Sequence, residues 1–168
     1  MGIKASMSKR EFDAMPDGEL GAACFEPIVP LIRAKPAQAK QDVYRELTQG
    51  QQRLFMFHVY VDHAKHAPEQ FYWWTAHYAA QPYAWAELRE GLNAFGANAL
   101  AMLLEETKAA LKDPIEGAAP GDLDKDSALS EAMNALYAEF LRVMPDAAAR
   151  VGRAIRSNPT DFVELRDE

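Results

Sequence analysis

The sequence of 168 residues contains one cysteine and only short apolar runs. Cys24 cannot form a disulfide within the chain, and its apolar neighbours predict a buried structural thiol. No apolar run approaches the roughly 18 residues of a membrane span, and the first residues lack the apolar segment of a secretory signal. We therefore expect a protein of the reducing cytoplasm that does not cross a membrane.

Sequence motifs of nucleotide binding and of nucleophilic catalysis are also missing. The chain has no P-loop, no GxGxxG, no GxSxG and no CxxC sequence. The formal charge is −7, and after residue 112 twelve acidic residues accompany only six basic ones. A basic patch of the kind that binds nucleic acid is not indicated, so we expect no direct DNA or RNA binding and no organic cofactor.

Apolar residues are abundant, at 49% of the chain, and they recur at helical spacing. One clear amphipathic stripe is formed by Trp85, Leu88, Leu92 and Phe95. No segment shows the alternation of a strand. These patterns predict an all-α single domain over residues 1–168, a bundle of about seven to nine helices, with an acidic loop containing Pro and Gly at 113–126. Pro145 is expected to separate the last two helices.

The predicted centre of the fold is a helix over residues 51–66. On a helix, this segment is apolar around most of its circumference, which indicates burial on most sides. Thr48 followed by Gln51 predicts a capping box at its start. Pro68 predicts its end and suits the first turn of the next helix.

One polar stripe remains on this helix, with His58, Asp62 and His66 at intervals of four residues. Imidazole and carboxylate groups at that spacing could hold a divalent metal such as zinc, with Glu69 or His77 completing the site, or could carry acid–base catalysis. His58 and His66 lie about 12 Å apart along the axis, so one ion could join only two of the three. A solvated face with weak surface pairs, or core histidines with satisfied hydrogen bonds, is the alternative interpretation.

The densest aromatic content follows in residues 69–78, which include Phe71, Tyr72, Trp73 and Trp74. Such rings are typical of hydrophobic cores, of pockets and of protein interfaces. Core packing is therefore one interpretation, and a pocket or an interface, including that of an isologous homodimer, is the other. The acidic loop 113–126 is a second candidate contact region.

Residues 47–112 resemble a poorly characterised family of all-helical domains whose best-described members are DNA-mimic proteins. The resemblance lies in the LFMF helix, in Gln70-Phe71-Tyr72, in Phe95-Gly96 and in the leucine-rich segment that follows, and the ending AIRSNPTDF is similar in style. His66-Ala67-Pro68-Glu69 stands where that family has an Asn-Gly-Gly-Phe turn. The resemblance implies a small cytoplasmic helical protein, often dimeric, that acts by binding. In the DNA-mimic members an acidic face occupies a DNA-binding protein.

Together these observations predict a non-enzymatic protein that acts through protein–protein contacts or regulates a partner, with homodimerisation as one mode of contact. Two alternatives stay open. The first is a metal-dependent or acid–base enzyme that uses His58, Asp62 and His66, and the second is an acidic DNA mimic.

Overall fold

The fold was analysed in a computed structural model that describes residues 2–111 and 119–167. Within these residues the chain forms nine α-helices and two short strands. The helices are α1 Lys9–Ala14, α2 Asp17–Phe25, α3 Val29–Ile32, α4 Ala37–Glu46, α5 Gln49–Ala64, α6 Pro68–Ala79, α7 Pro82–Ala94, α8 Asn98–Ala110 and α9 Ser127–Ser157. The predicted all-α helical bundle is confirmed.

The predicted acidic loop 113–126 lies partly outside the described residues. Its described end, Pro120–Lys125, forms a 3₁₀ turn. None of the helices in the described part of the chain combines the length and the apolar character that crossing a bilayer requires.

Helix α5 is the buried centre of the bundle, as the sequence predicts. It begins and ends two residues earlier than expected, at Gln49 and Ala64. The predicted capping box is present: the Thr48 hydroxyl accepts the Gln51 N–H at 3.1 Å, and the Gln51 side chain accepts the Thr48 N–H at 3.1 Å. Leu54 and Tyr60 are fully buried, and α5 packs against α2, α6 and α7.

A two-stranded parallel sheet joins the two ends of the described chain, which the sequence analysis did not predict. Strand β1 (Ala5–Ser8) pairs with β2 (Val163–Arg166), with Ala5 opposite Val163. Strands of four residues are too short to display the alternation by which strands are recognised in a sequence. Just before β2, the Asp161 carboxylate accepts the Gly50 N–H at 2.8 Å, so the C-terminal segment caps the start of α5.

The expectation that Pro145 separates two helices is wrong, because α9 continues through it for 31 residues. The apolar stripe stays in phase across the proline, since Phe140, Val143, Ala147 and Val151 are all buried. Pro145 itself is exposed, so water can reach the carbonyl group that loses its helical partner. Burial of the stripe on both sides of the proline offsets the missing hydrogen bond.

Candidate functional site

His58 of α5 lies in an aromatic environment at the inner end of the polar stripe. Its ring stacks on Phe25 of α2, with centroids 4.9 Å apart, and meets the edge of Phe57 at 5.1 Å. The residue is only 8% exposed, and its Nε2 has no hydrogen-bond partner among the described residues. A Cβ on Gly21 would lie 3.2 Å from this nitrogen, so a glycine of α2 makes room for the ring.

Asp62 lies one turn farther along α5, between two basic groups. Its Oδ2 is 3.6 Å from His58 Nδ1, and its Oδ1 is 3.3 Å from Lys65 Nζ. Partial burial alone would raise the pKa of the Asp62 carboxyl, but His58 and Lys65 lower it more, so the pKa lies below its ordinary value. Asp62 is therefore a carboxylate at neutral pH, held between an imidazole and an ammonium group.

The five residues proposed as metal ligands do not converge. His58 and Asp62 are close to each other, whereas Glu69 and His77 lie on α6 and His66 follows the end of α5. Within residues 2–111 and 119–167, no three His, Cys, Asp or Glu side chains are grouped so that they could hold a metal ion. Of the stripe, only His58 and Asp62 thus come within contact distance of each other, and the described residues give no geometric basis for a metal.

His58 and Asp62 both line a cleft between α5 and the segment that runs from the end of α2 to the first turn of α4. The cleft has a volume of about 460 Å³. Its floor is apolar and is formed by Phe25, Val29, Ile32, Phe55 and Val59. Its opening is lined by basic and imidazole side chains, namely Arg33, Lys40, Lys65, His63 and His66. The cleft therefore combines an apolar floor with a cationic rim.

Arg33 and Lys40 were not singled out from the sequence, because they lie at least 18 positions before His58 and belong to no motif. The loop after α3 brings them to the same cleft. Within this loop Ala34, which also lines the cleft, adopts a left-handed backbone conformation with φ +56°. A non-glycine residue in this region is uncommon and is found mostly where the surrounding structure requires it.

The aromatic segment of α6 divides between core and surface. Phe71 is fully buried, and Tyr72 packs with Leu123, Leu129 and Met133 in a second hydrophobic cluster. Phe71 and Tyr72 therefore fit the interpretation that this segment packs in the core. Trp73 and Trp74 are only half-buried. Trp74 packs in part against the main core, whereas Trp73 belongs to neither hydrophobic cluster and could serve an interface without disturbing the core.

Four rings form what we term the aromatic surface: His63, Trp73, Trp74 and His77. Trp73 meets Trp74 edge to face at 4.8 Å between centroids and stacks on His77 at 4.9 Å. Trp74 contacts His63 of α5 at 4.3 Å. His63 Nδ1–H donates to the Val59 carbonyl at 2.7 Å, which fixes the orientation of its ring. The rings are thus held in place while part of their area stays open to solvent.

The third tryptophan contrasts with these two. Trp85 of α7 is 4% exposed, and its indole N–H donates to the Glu105 carboxylate at 2.8 Å. The indole N–H groups of Trp73 and Trp74 have no acceptor within the described part of the chain. Buried tryptophans usually satisfy this donor, so the difference separates the buried Trp85 from the half-buried Trp73 and Trp74.

Charges on the surface are interleaved rather than segregated. Described carboxylates pair with neighbouring cations in Lys9–Asp13, Asp42–Arg45, Glu139–Arg142 and Asp146–Arg150. A DNA mimic needs carboxylates at phosphate-like intervals with few cations between them. The DNA-mimic alternative gains no support from these pairs, and it stays a prediction.

No protein-family model, no curated protein and no solved structure matches this chain. The resemblance to the helical family that includes DNA-mimic proteins therefore stays a prediction that depends on the quoted residues.

Proposed function

We propose that the protein acts by binding a protein surface rather than by catalysis, that the aromatic surface is the contact, and that a second copy of the chain is the partner. The proposal includes the cytoplasmic location expected from the single cysteine. The observation that carries it is the position of Trp73, which contacts Trp74 and His77 but belongs to neither described hydrophobic cluster.

Tryptophan is among the residues that contribute most to binding when a partner covers them. Covering a half-buried indole removes apolar area from water, at about 25 cal/mol per Å². The rings of Trp73 and Trp74 already pack against each other, so binding orders few additional side-chain rotations. Both features favour a protein contact over a solvated surface.

The charge around the aromatic surface favours a second copy as the partner. The exposed and half-buried residues of α6 include Glu69, Gln70, Trp73, Trp74 and His77, and Glu69, in the first turn, is the only acid of this helix. Two chains of charge −7 repel each other, and the repulsion is smallest where they meet through faces with few carboxylates. A two-fold axis through such a face would pair the same rings of both copies.

Sedimentation velocity across a concentration series tests this proposal. We expect the wild-type chain to sediment as a dimer at high concentration and Trp73→Ala to sediment as a monomer with an unchanged far-UV circular dichroism spectrum. The matched control is Tyr83→Ala, since Tyr83 is an aromatic residue that is 76% exposed on α7 and has no part in the ring cluster. A monomeric wild type at every concentration, or a Trp73→Ala dimer as stable as the wild type, would contradict the proposal.

Acid–base catalysis is the second candidate, and the His58–Asp62 pair in a cleft is the observation that favours it. A carboxylate that orients an imidazole is a recurrent arrangement in catalysis. It ranks second because His58 Nε2 is shielded from solvent. Hydrolysis of an activated aryl ester that is lost in His58→Gln and retained in His66→Gln would support it, and equal rates in both variants would count against it.

A further inference from the structure

We propose that the cleft between α3 and α5 binds a small organic anion, whose apolar body lies on the floor and whose anionic head group is held by the cations of the rim. This site adjoins the contact proposed for the dimer at His63, but it does not include Trp73, and it requires no proton transfer by His58.

The charge of the cleft differs from that of the chain. In a protein of net charge −7, the cleft is lined by Arg33, Lys40 and Lys65 and by a single carboxylate, Asp62. Lys65 pairs with that carboxylate at 3.3 Å. The side chains of Arg33 and Lys40 form no ion pair or hydrogen bond with residues in the described ranges. Two cations without a protein counter-charge therefore remain at one opening, and their field attracts an anion.

The floor of the cleft indicates what the rest of the ligand must be. Phe25 and His58, whose rings stack on each other, line the cleft, and Val29 and Val59 add aliphatic surface. The volume of about 460 Å³ lies within the roughly 300–1,000 Å³ of pockets that hold small organic molecules. An inorganic anion would leave this floor uncovered, and a neutral apolar molecule would leave the two cations unpaired. An amphipathic organic anion would cover the apolar floor and would also pair with the two cations.

The backbone next to the cleft is held in a defined shape. Ala34 keeps its left-handed conformation between α3 and Pro36, and α4 begins directly after that proline. Lys40 lies in the first turns of α4, and its N–H donates to the Pro36 carbonyl at 3.2 Å. Arg33 and Lys40 are thus attached to a constrained turn, which lowers the entropy cost of using them to bind a ligand.

A fluorescence titration with anilinonaphthalene sulfonate tests the proposal, because this probe combines an aromatic body with one anionic group. Its neutral counterpart, N-phenylnaphthylamine, has a closely similar aromatic body without the sulfonate. We expect the wild-type chain to bind the sulfonate with a Kd at least about tenfold lower than that of the neutral probe. We also expect the Kd of the sulfonate to rise with salt concentration.

Substitutions of residues that line the cleft test whether the sulfonate probe binds there. Arg33→Gln combined with Lys40→Gln is expected to weaken sulfonate binding about tenfold and to leave binding of the neutral probe unchanged. The control is Lys35→Gln, which removes one positive charge, against two in the double variant, from the loop next to Arg33 at a residue that does not line the cleft. Val59→Phe is expected to weaken the binding of both probes, because the larger side chain fills the floor of the cleft.

Absence of sulfonate binding, equal affinity for both probes, or equal losses in the double variant and in Lys35→Gln would overturn the proposal. Urea unfolding of each variant verifies that the fold is retained.

Discussion

Glycine at position 152 lets α9 pack directly on the start of α2. A Cβ at this position would overlap the backbone carbonyl oxygen of Asp17, which cannot rotate away as a side chain could. One turn later Arg156 donates to the Asp17 carboxylate at 2.7 Å and to the Phe12 carbonyl at 2.8 Å. These contacts fix α2, which carries Phe25, relative to α9.

Gly152→Ala is expected to lower the free energy of unfolding by about 2 kcal/mol or more, because the methyl group forces the two helices apart. Urea denaturation followed by circular dichroism measures the loss. Gly18→Ala is the control, since nothing lies within 4 Å of a Cβ there, and it should leave stability equal or raise it by up to about 1 kcal/mol. Equal effects of the two substitutions would refute the proposed overlap.

Asp62 is expected to stabilise the fold at neutral pH and to lose that effect in acid. Its pKa is lower in the folded chain than in the unfolded chain, so the contribution is complete above about pH 4 and disappears as the carboxyl protonates below it. Because the side chain is 44% exposed, we expect less than about 1 kcal/mol.

The comparison of wild type with Asp62→Asn by urea unfolding isolates this contribution from other carboxylates. Wild type should be the more stable at about pH 7, and the difference should be smaller at about pH 3, where this carboxyl is largely protonated in the unfolded chain. A difference that is the same at both pH values would show that Asp62 acts by packing rather than by charge.

At the residue scale, the sequence predicts the His58–Asp62 pair, because spacing along one helix fixes which side chains are neighbours. It does not predict Arg33, Lys40 or the burial of His58 Nε2. Those depend on how a separate loop folds over α5, which no local pattern encodes.

Helix α9 is the element in which local and tertiary preferences disagree most. A proline in a helix interior costs about 3 kcal/mol relative to alanine, yet Pro145 lies inside 31 continuous helical residues. Pro145→Ala restores one hydrogen-bond donor on an exposed face. We expect a gain in unfolding free energy of about 1 to 2 kcal/mol, since proline also restricts the unfolded chain and offsets part of the benefit. Thermal and urea unfolding measure it, and a loss of stability would show that the packing of α9 depends on a bend at Pro145.

The start of α5 depends on a residue more than one hundred positions away. Asp161→Ala removes the acceptor of the Gly50 N–H and a negative charge at a helix N-terminus, and it should cost about 1 kcal/mol. Asp167→Ala, at an exposed acid just after β2, should change stability by less than about 0.5 kcal/mol. Equal effects of both substitutions in urea unfolding would argue against the cap.

The sequence predicts those helix boundaries that depend only on neighbouring residues in the chain. The capping box at Thr48 and the opening of α6 by Pro68 follow from a few adjacent residues, and both are present. The pairing of β1 with β2 joins residues about 158 positions apart. Such pairing leaves no signal in four-residue segments and emerges only from the packed fold.

For the whole molecule, the aromatic surface and the cleft are adjacent regions of one helical framework. His63 contributes to both, since it lines the cleft and contacts the ring of Trp74. Elsewhere on the surface, carboxylates pair with neighbouring cations in Lys9–Asp13, Glu139–Arg142 and Asp146–Arg150.

The most direct measurement of association through the aromatic surface follows the three indole N–H signals by nitrogen-edited NMR as the protein is diluted from about 1 mM to about 10 µM. Trp85 is an internal reference, because its N–H is buried and bonded to Glu105. Our account predicts that the signals of Trp73 and Trp74, assigned with Trp73→Phe and Trp74→Phe, shift on dilution while that of Trp85 stays fixed. Three signals that are independent of concentration, or a shift confined to Trp85, would contradict the account.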